Sequence, residues 1–140
     1  MSRYHRTSTI YKDRECLVEA LHDMGYQNVE VNDEAQQLID YHGHATHYTD
    51  PTGDKANVIV RRQHIDSAAN DLGFVFNKQT GVFDQVVSEF DSGKHNASWL
   101  KQLEVNYAHR RVLKTTKRLG FHLKYKPVRK NGKIILEVMR

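Results

Sequence analysis

The chain has 140 residues, of which 39% are hydrophobic and 27% charged, with two prolines, eight glycines and a formal net charge of +4. These values fit one ordinary globular domain over residues 1–140 and exclude a disordered, collagenous or membrane protein. The longest apolar runs, such as Val58-Ile59-Val60, are far too short to span a bilayer, and no apolar stretch follows the first residues as a secretory signal requires. A single cysteine, Cys16, cannot form an internal disulfide, so the expected setting is a soluble protein of the reducing cytoplasm.

Residues 7–11 carry β-branched Thr7, Thr9 and Ile10 and predict a first strand. Asp13 then stands where an N-cap belongs, and Cys16, Leu17, Ala20, Leu21 and Met24 share one face at helical spacing, with Gly25 as the stop. The middle of the chain predicts sheet: the alternating Val29 and Val31, a short candidate at 37–42, a strand at 57–62, and a hairpin of 72–77 and 82–90. Between them, residues 43–55 hold Asp50-Pro51-Thr52-Gly53-Asp54 and predict a long turn. A second helix starts at Asn96 or Ser98 and ends near Leu119, with Gly120 as its terminator. Phe121, Leu123 and Tyr125 then alternate with polar residues, Asn131-Gly132 signals a hairpin turn, and Ile134, Leu136 and Val138 line the returning strand. The order β-α-β(4–5)-α-β-β predicts an α+β fold with an antiparallel sheet of roughly six or seven strands and two helices. That order looks like a permuted version of the Whirly and Pur folds, which bind single-stranded nucleic acid on curved sheets.

Charge is sharply segregated. Residues 1–100 hold nine Lys/Arg against fifteen Asp/Glu, a net of −6, while residues 101–140 hold twelve Lys/Arg against two acids, a net of +10. A polyanion would be drawn to that end. On a helical wheel Val105, Ala108, Val112, Thr115 and Leu119 form one stripe, assigned to the core. A second stripe begins with Trp99, Leu100, Leu103 and Tyr107 and continues as Arg110, Arg111, Lys114, Lys117 and Arg118. The terminal hairpin adds Lys124, Tyr125, Lys126, Arg129, Lys130 and Lys133. Cations for phosphates beside Tyr107 and Tyr125 for stacking predict a non-enzymatic binder of RNA or single-stranded DNA with low sequence specificity. The competing readings are an acidic protein partner, for which the chain would serve as adaptor or assembly factor, and a merely solvated face whose cations complement a helix C-terminus.

His42, His44 and His47 have the only metal-like spacing, with Asp50, His64 or Cys16 as candidates for a fourth ligand. Nothing selects among those, so the three histidines are assigned to a polar surface loop, and a metal-dependent enzyme is the weakest reading. No nucleophile elbow, phosphate loop or carboxylate pair is present, which argues against catalysis and against a cofactor. Cys16 falls on the apolar face of its helix and reads as structural.

The segments Thr9-Ile10, Lys12-Asp13, Glu15-Cys16-Leu17, Ala20-Leu21, Gly25-Tyr26, Tyr41-His42-Gly43 and Val58-Ile59-Val60-Arg61 form the first half of a wider pattern. Leu72-Gly73-Phe74, Tyr107-Ala108-His109, Gly120-Phe121 and Asn131-Gly132-Lys133-Ile134 complete it. Together they resemble the domain of unknown function 1257 family, which includes the hypothetical open reading frame thirty-five of chloroplasts and cyanobacteria and has bacteriophage members. The resemblance implies a fold but supplies no catalytic residues. The chain departs from the plastid pattern in a longer loop over 43–55, in lacking a tryptophan-rich stretch near Phe90, and in a more basic final hairpin.

Overall fold

The computed structural model describes residues 4–88, 91 and 93–120 in full and, beyond Gly120, the backbone of four short strands. In chain order the elements are β1 (Tyr4–Thr7), α1 (Arg14–Asp23), β2 (Glu30–Gln37), β3 (Lys55–Val60), β4 (Leu72–Asn77), β5 (Val82–Ser88) and α2 (Ala97–Leu119). The strands β6 (His122–Leu123), β7 (Val128–Lys130), β8 (Lys133–Ile135) and β9 (Val138–Met139) follow.

Strands β2 to β5 form an antiparallel meander, and β1 joins beside β5 to give the order β1-β5-β4-β3-β2. The domain is therefore α+β, as predicted, but its main sheet has five strands where the pattern predicts six or seven. Among the described residues the terminal strands stay out of that sheet: β6 pairs β9 and β7 pairs β8. Lys130 lies opposite Lys133, as a hairpin about 131–132 requires, while Asn131 and Gly132 themselves lie outside the described residues. At the other end of the chain the first strand is shifted to Tyr4–Thr7 from the predicted 7–11, because Tyr11 has another use. Its ring is fully buried between Phe74 and Tyr107, and its carbonyl accepts the Phe83 N–H.

Period-two alternation sorts most of the sheet's residues onto two faces, with Ala56, which shares the parity of Val58 and Val60, crossing to the side of Ile59. Val58, Val60, Leu72, Phe74, Phe83 and Val87 face α1 and α2, where they meet Cys16, Leu17, Ala20, Leu21, Leu103 and Tyr107 in the main core. The opposite face carries a smaller cluster of Tyr4, Leu38, Ala56, Ile59 and Val86. Of the candidate strand at 37–42, Gln37 ends β2 and Ile39 makes a single bridge to Ala45, because the chain turns there to lay Leu38 on the sheet. Gly73 makes room for it: a Cβ at that position would stand 2.6 Å from the Ala56 Cβ and 3.0 Å from Leu38. The loop is tied down by buried carboxylates. Asp54 accepts the N–H groups of Tyr48, Thr49 and Asp50, and Asp71 accepts those of Ile39 and Arg62.

Among the described residues the outer edges of the sheet are irregular or short. There β1 has four residues, and the pairing of β2 with β3 shifts register between Val31 and Gln36.

Candidate nucleic-acid interface

α1 is built from local signals. Asp13 Oδ1 accepts the Cys16 N–H at 3.1 Å, and the C-terminus closes through Gly25 N–H to His22 O and Tyr26 N–H to Leu21 O, with Gly25 at φ +103°. Those two bonds are the paired closure that a left-handed glycine permits. α2 also has a side-chain N-cap and a left-handed glycine at its end. Asn96 accepts the Trp99 N–H, and Gly120 stands at φ +79°. Its 23 residues span about 35 Å, more than twice the length of α1.

The inner side of α2 is the second stripe of the sequence, not the first. Leu103 and Tyr107 are buried, and Trp99 and Leu100 pack on the core. The stripe assigned to the core, Val105, Ala108, Val112 and Thr115, is only half-buried, and Leu119 is 59% exposed. Tyr107 is thereby corrected from a stacking group to a core residue. Its ring packs at 5.0 Å on that of Tyr11, and its hydroxyl accepts the N–H groups of both Lys12 and Asp13 at 2.9 Å.

One turn beyond Tyr107 the same side becomes cationic, and α1 meets it with acids. Arg110 donates to both oxygens of Asp23 at 2.7 and 2.6 Å and lies 3.2 Å from Glu19. Arg111 and Lys114 converge on one oxygen, Asp13 Oδ2, at 3.1 and 2.8 Å, and Lys114 also lies 3.7 Å from Glu15. Burial alone would raise the Asp13 pKa. The hydrogen bonds from Lys114 and from the Cys16 N–H outweigh it and hold the carboxyl down at about 2. The Asp23 contact raises the pKa of Arg110, and the Asp13 contact raises that of Lys114. Lys117 and Arg118 lie past these acids. Both are exposed, and among the described residues neither meets a carboxylate. Sequence reasoning assigned Asp13 to capping and missed the acidic row of α1. The signal was the i, i+4 spacing of Glu19 and Asp23, a repulsive pair unless a cation bridges it.

Of the hairpin cations, Lys124 and Lys126 lie outside the described residues, as does Tyr125. Arg129 and Lys130 occupy β7 and Lys133 occupies β8, where only the backbone is described.

The remaining candidates are structural or dispersed. His42, His44 and His47 are exposed, and Asp40 Oδ1 accepts the N–H groups of the first two. Among the described residues no three His, Cys, Asp or Glu side chains gather as a metal site would require. Cys16 is buried, and that burial, with the nearby Asp13 charge, pushes its thiol up to about 11. A polar cleft of about 230 Å³ is lined by Asn28, Val29, Glu30, Arg61 and His64. The Arg61 guanidinium is already committed, to Glu30 at 3.1 and 2.7 Å, to Asp71 at 2.8 Å and to the Gln37 carbonyl at 2.9 Å. No helix among the described residues is long and apolar enough to cross a membrane.

The architecture is thus a small α+β domain, a five-stranded antiparallel sheet with two helices on one face, bearing a cationic helix end. The model of a family described as a protein of unknown function (DUF1257) matches residues 20–136, and the chain belongs to that family. No curated protein and no solved structure matches it.

Proposed function

We propose that the protein is a non-enzymatic binder of RNA or single-stranded DNA with low sequence specificity. It engages phosphates through the end of α2 and the terminal hairpin. The observation that carries this reading is the charge segregation, with twelve Lys/Arg against two acids in residues 101–140. The geometry supports a division of labour among those cations. Lys117 and Arg118 stand exposed beyond the reach of α1's acids and are the first contacts, continued in sequence by Lys124, Lys126, Arg129, Lys130 and Lys133. Arg110, Arg111 and Lys114 are partly neutralised by Asp13, Glu19 and Asp23 and contribute less.

The test is fluorescence anisotropy with a labelled single-stranded RNA over a salt series, run beside the matching DNA strand and duplex. Four to six phosphate contacts give a log–log salt slope of roughly 3 to 4 for a single strand. Reversing both Lys117 and Arg118 to Glu should weaken binding at least about tenfold and lower the slope by about 1.4, with only a small fall in melting temperature, since two acids in the last turn of α2 oppose its dipole. Reversing Arg111 and Lys114 would be a poor test, since it would set new carboxylates against Asp13. Absence of binding near physiological salt would sink the reading and point to an acidic protein partner.

A further inference from the structure

The geometry points to an intramolecular competitor: the acidic row of α1 occupies Arg110, Arg111 and Lys114 in the free protein, and a nucleic-acid phosphate must displace it. This inference rests on the nucleic-acid reading and concerns the regulation of that same surface.

Three observations carry it. First, Arg111 Nη1 and Lys114 Nζ reach a single oxygen, Asp13 Oδ2, while the other oxygen accepts the Cys16 N–H. A helix N-terminus with two converging cations has the donor chemistry that phosphates take, and here a carboxylate of the chain fills it. Second, Asp23 lies in the last turn of α1, where the helix dipole disfavours a negative charge, and Glu19 lies one turn before it. Arg110 grips Asp23 with two nitrogens and lies beside Glu19, so its cation offsets both charges. Third, the pairs are shallow. Arg111 and Lys114 are each 48% exposed along the side chain, so each pair is open to exchange with an incoming anion. The acids therefore act as a weak lock on half the surface. The free protein meets a strand through Lys117 and Arg118, and the inner three cations join only as the acids are displaced.

Asp13→Asn tests this cleanly, because asparagine is as good an N-cap and keeps the acceptor for Cys16 while removing the charge. Asp23→Asn is the second variant, releasing Arg110 without touching the cap. Both are titrated against the same labelled single-stranded RNA as wild type, with melting temperatures recorded. Each should bind about two- to fivefold more tightly, the range set by exposed ion pairs, and the salt slope should steepen by about 0.7 for every further phosphate neutralised. Binding by the variants with none by wild type would support the lock while refuting RNA binding by the free protein. Wild-type binding with both folded variants unchanged or weaker would overturn the lock alone. Failure of wild type and variants to bind would overturn both readings.

Discussion

The two halves of α2 are held to the same body by different forces. The first half is sealed by packing, with Leu103 fully buried and Tyr107 nearly so, its hydroxyl closing two backbone N–H groups. The second half is held by charge, through Arg110, Arg111 and Lys114 and four carboxylates of α1 and its N-cap, on cationic side chains that remain one-third to one-half exposed. Packing is expensive to undo and insensitive to salt, whereas exposed ion pairs are cheap to exchange and screened. One helix can therefore anchor the fold at one end and present exchangeable cations at the other.

The contrast breaks most severely at Leu103. Leu103→Ala removes a fully buried side chain and should cost about 3 kcal/mol in urea denaturation. A loss below about 1 kcal/mol would mean that the first half is not the anchor. Tyr107→Phe probes the boundary between the halves. It keeps the ring but strands the N–H groups of Lys12 and Asp13, and a loss of about 1–2 kcal/mol is expected.

The smallest effect belongs to the charged half and has a sign fixed by linkage. The folded pKa of Asp13, about 2, lies below its ordinary value of 3.8. Its contribution is therefore complete above about pH 5 and is lost as pH falls toward about 2. After discounting for the solvent around its partners, the difference between wild type and Asp13→Asn should shrink by about 1 kcal/mol across that window. Denaturation curves showing the same acid sensitivity in both proteins would remove the ion pairs from the account.

Much of this fold was legible because its signals are local. The Asp13 and Asn96 caps, the glycine stops at Gly25 and Gly120, and the hairpin of β4 and β5 all depend on neighbours within a few residues. What the sequence hid was tertiary. Both stripes of α2 are plausible core faces on a wheel, and only the position of α1 decides that the aromatic one turns inward. Thr9 and Tyr11 look like strand residues, yet Tyr11 is needed as a plug between Phe74 and Tyr107. Strand count failed because the alternating pattern of a terminal hairpin is the same whether it joins the main sheet or pairs with itself. For the interface, Lys117 and Arg118 stand exposed as the cationic stripe implied. The pairing of Arg110, Arg111 and Lys114 needed the spatial partner that a linear reading lacks.

The register break in β2 has a consequence for behaviour in crowded solution. An open sheet edge is a template on which a second chain can lengthen the sheet, and long flat edges seed fibrils. Here one edge strand has four residues among those described, and the other pairs regularly only at Glu30–Val31 and Gln36–Gln37, with Asp33 and Glu34 in the gap between. A stray strand laid along the β2 side would find too few consecutive partners to stay, so the sheet stops growing at that edge.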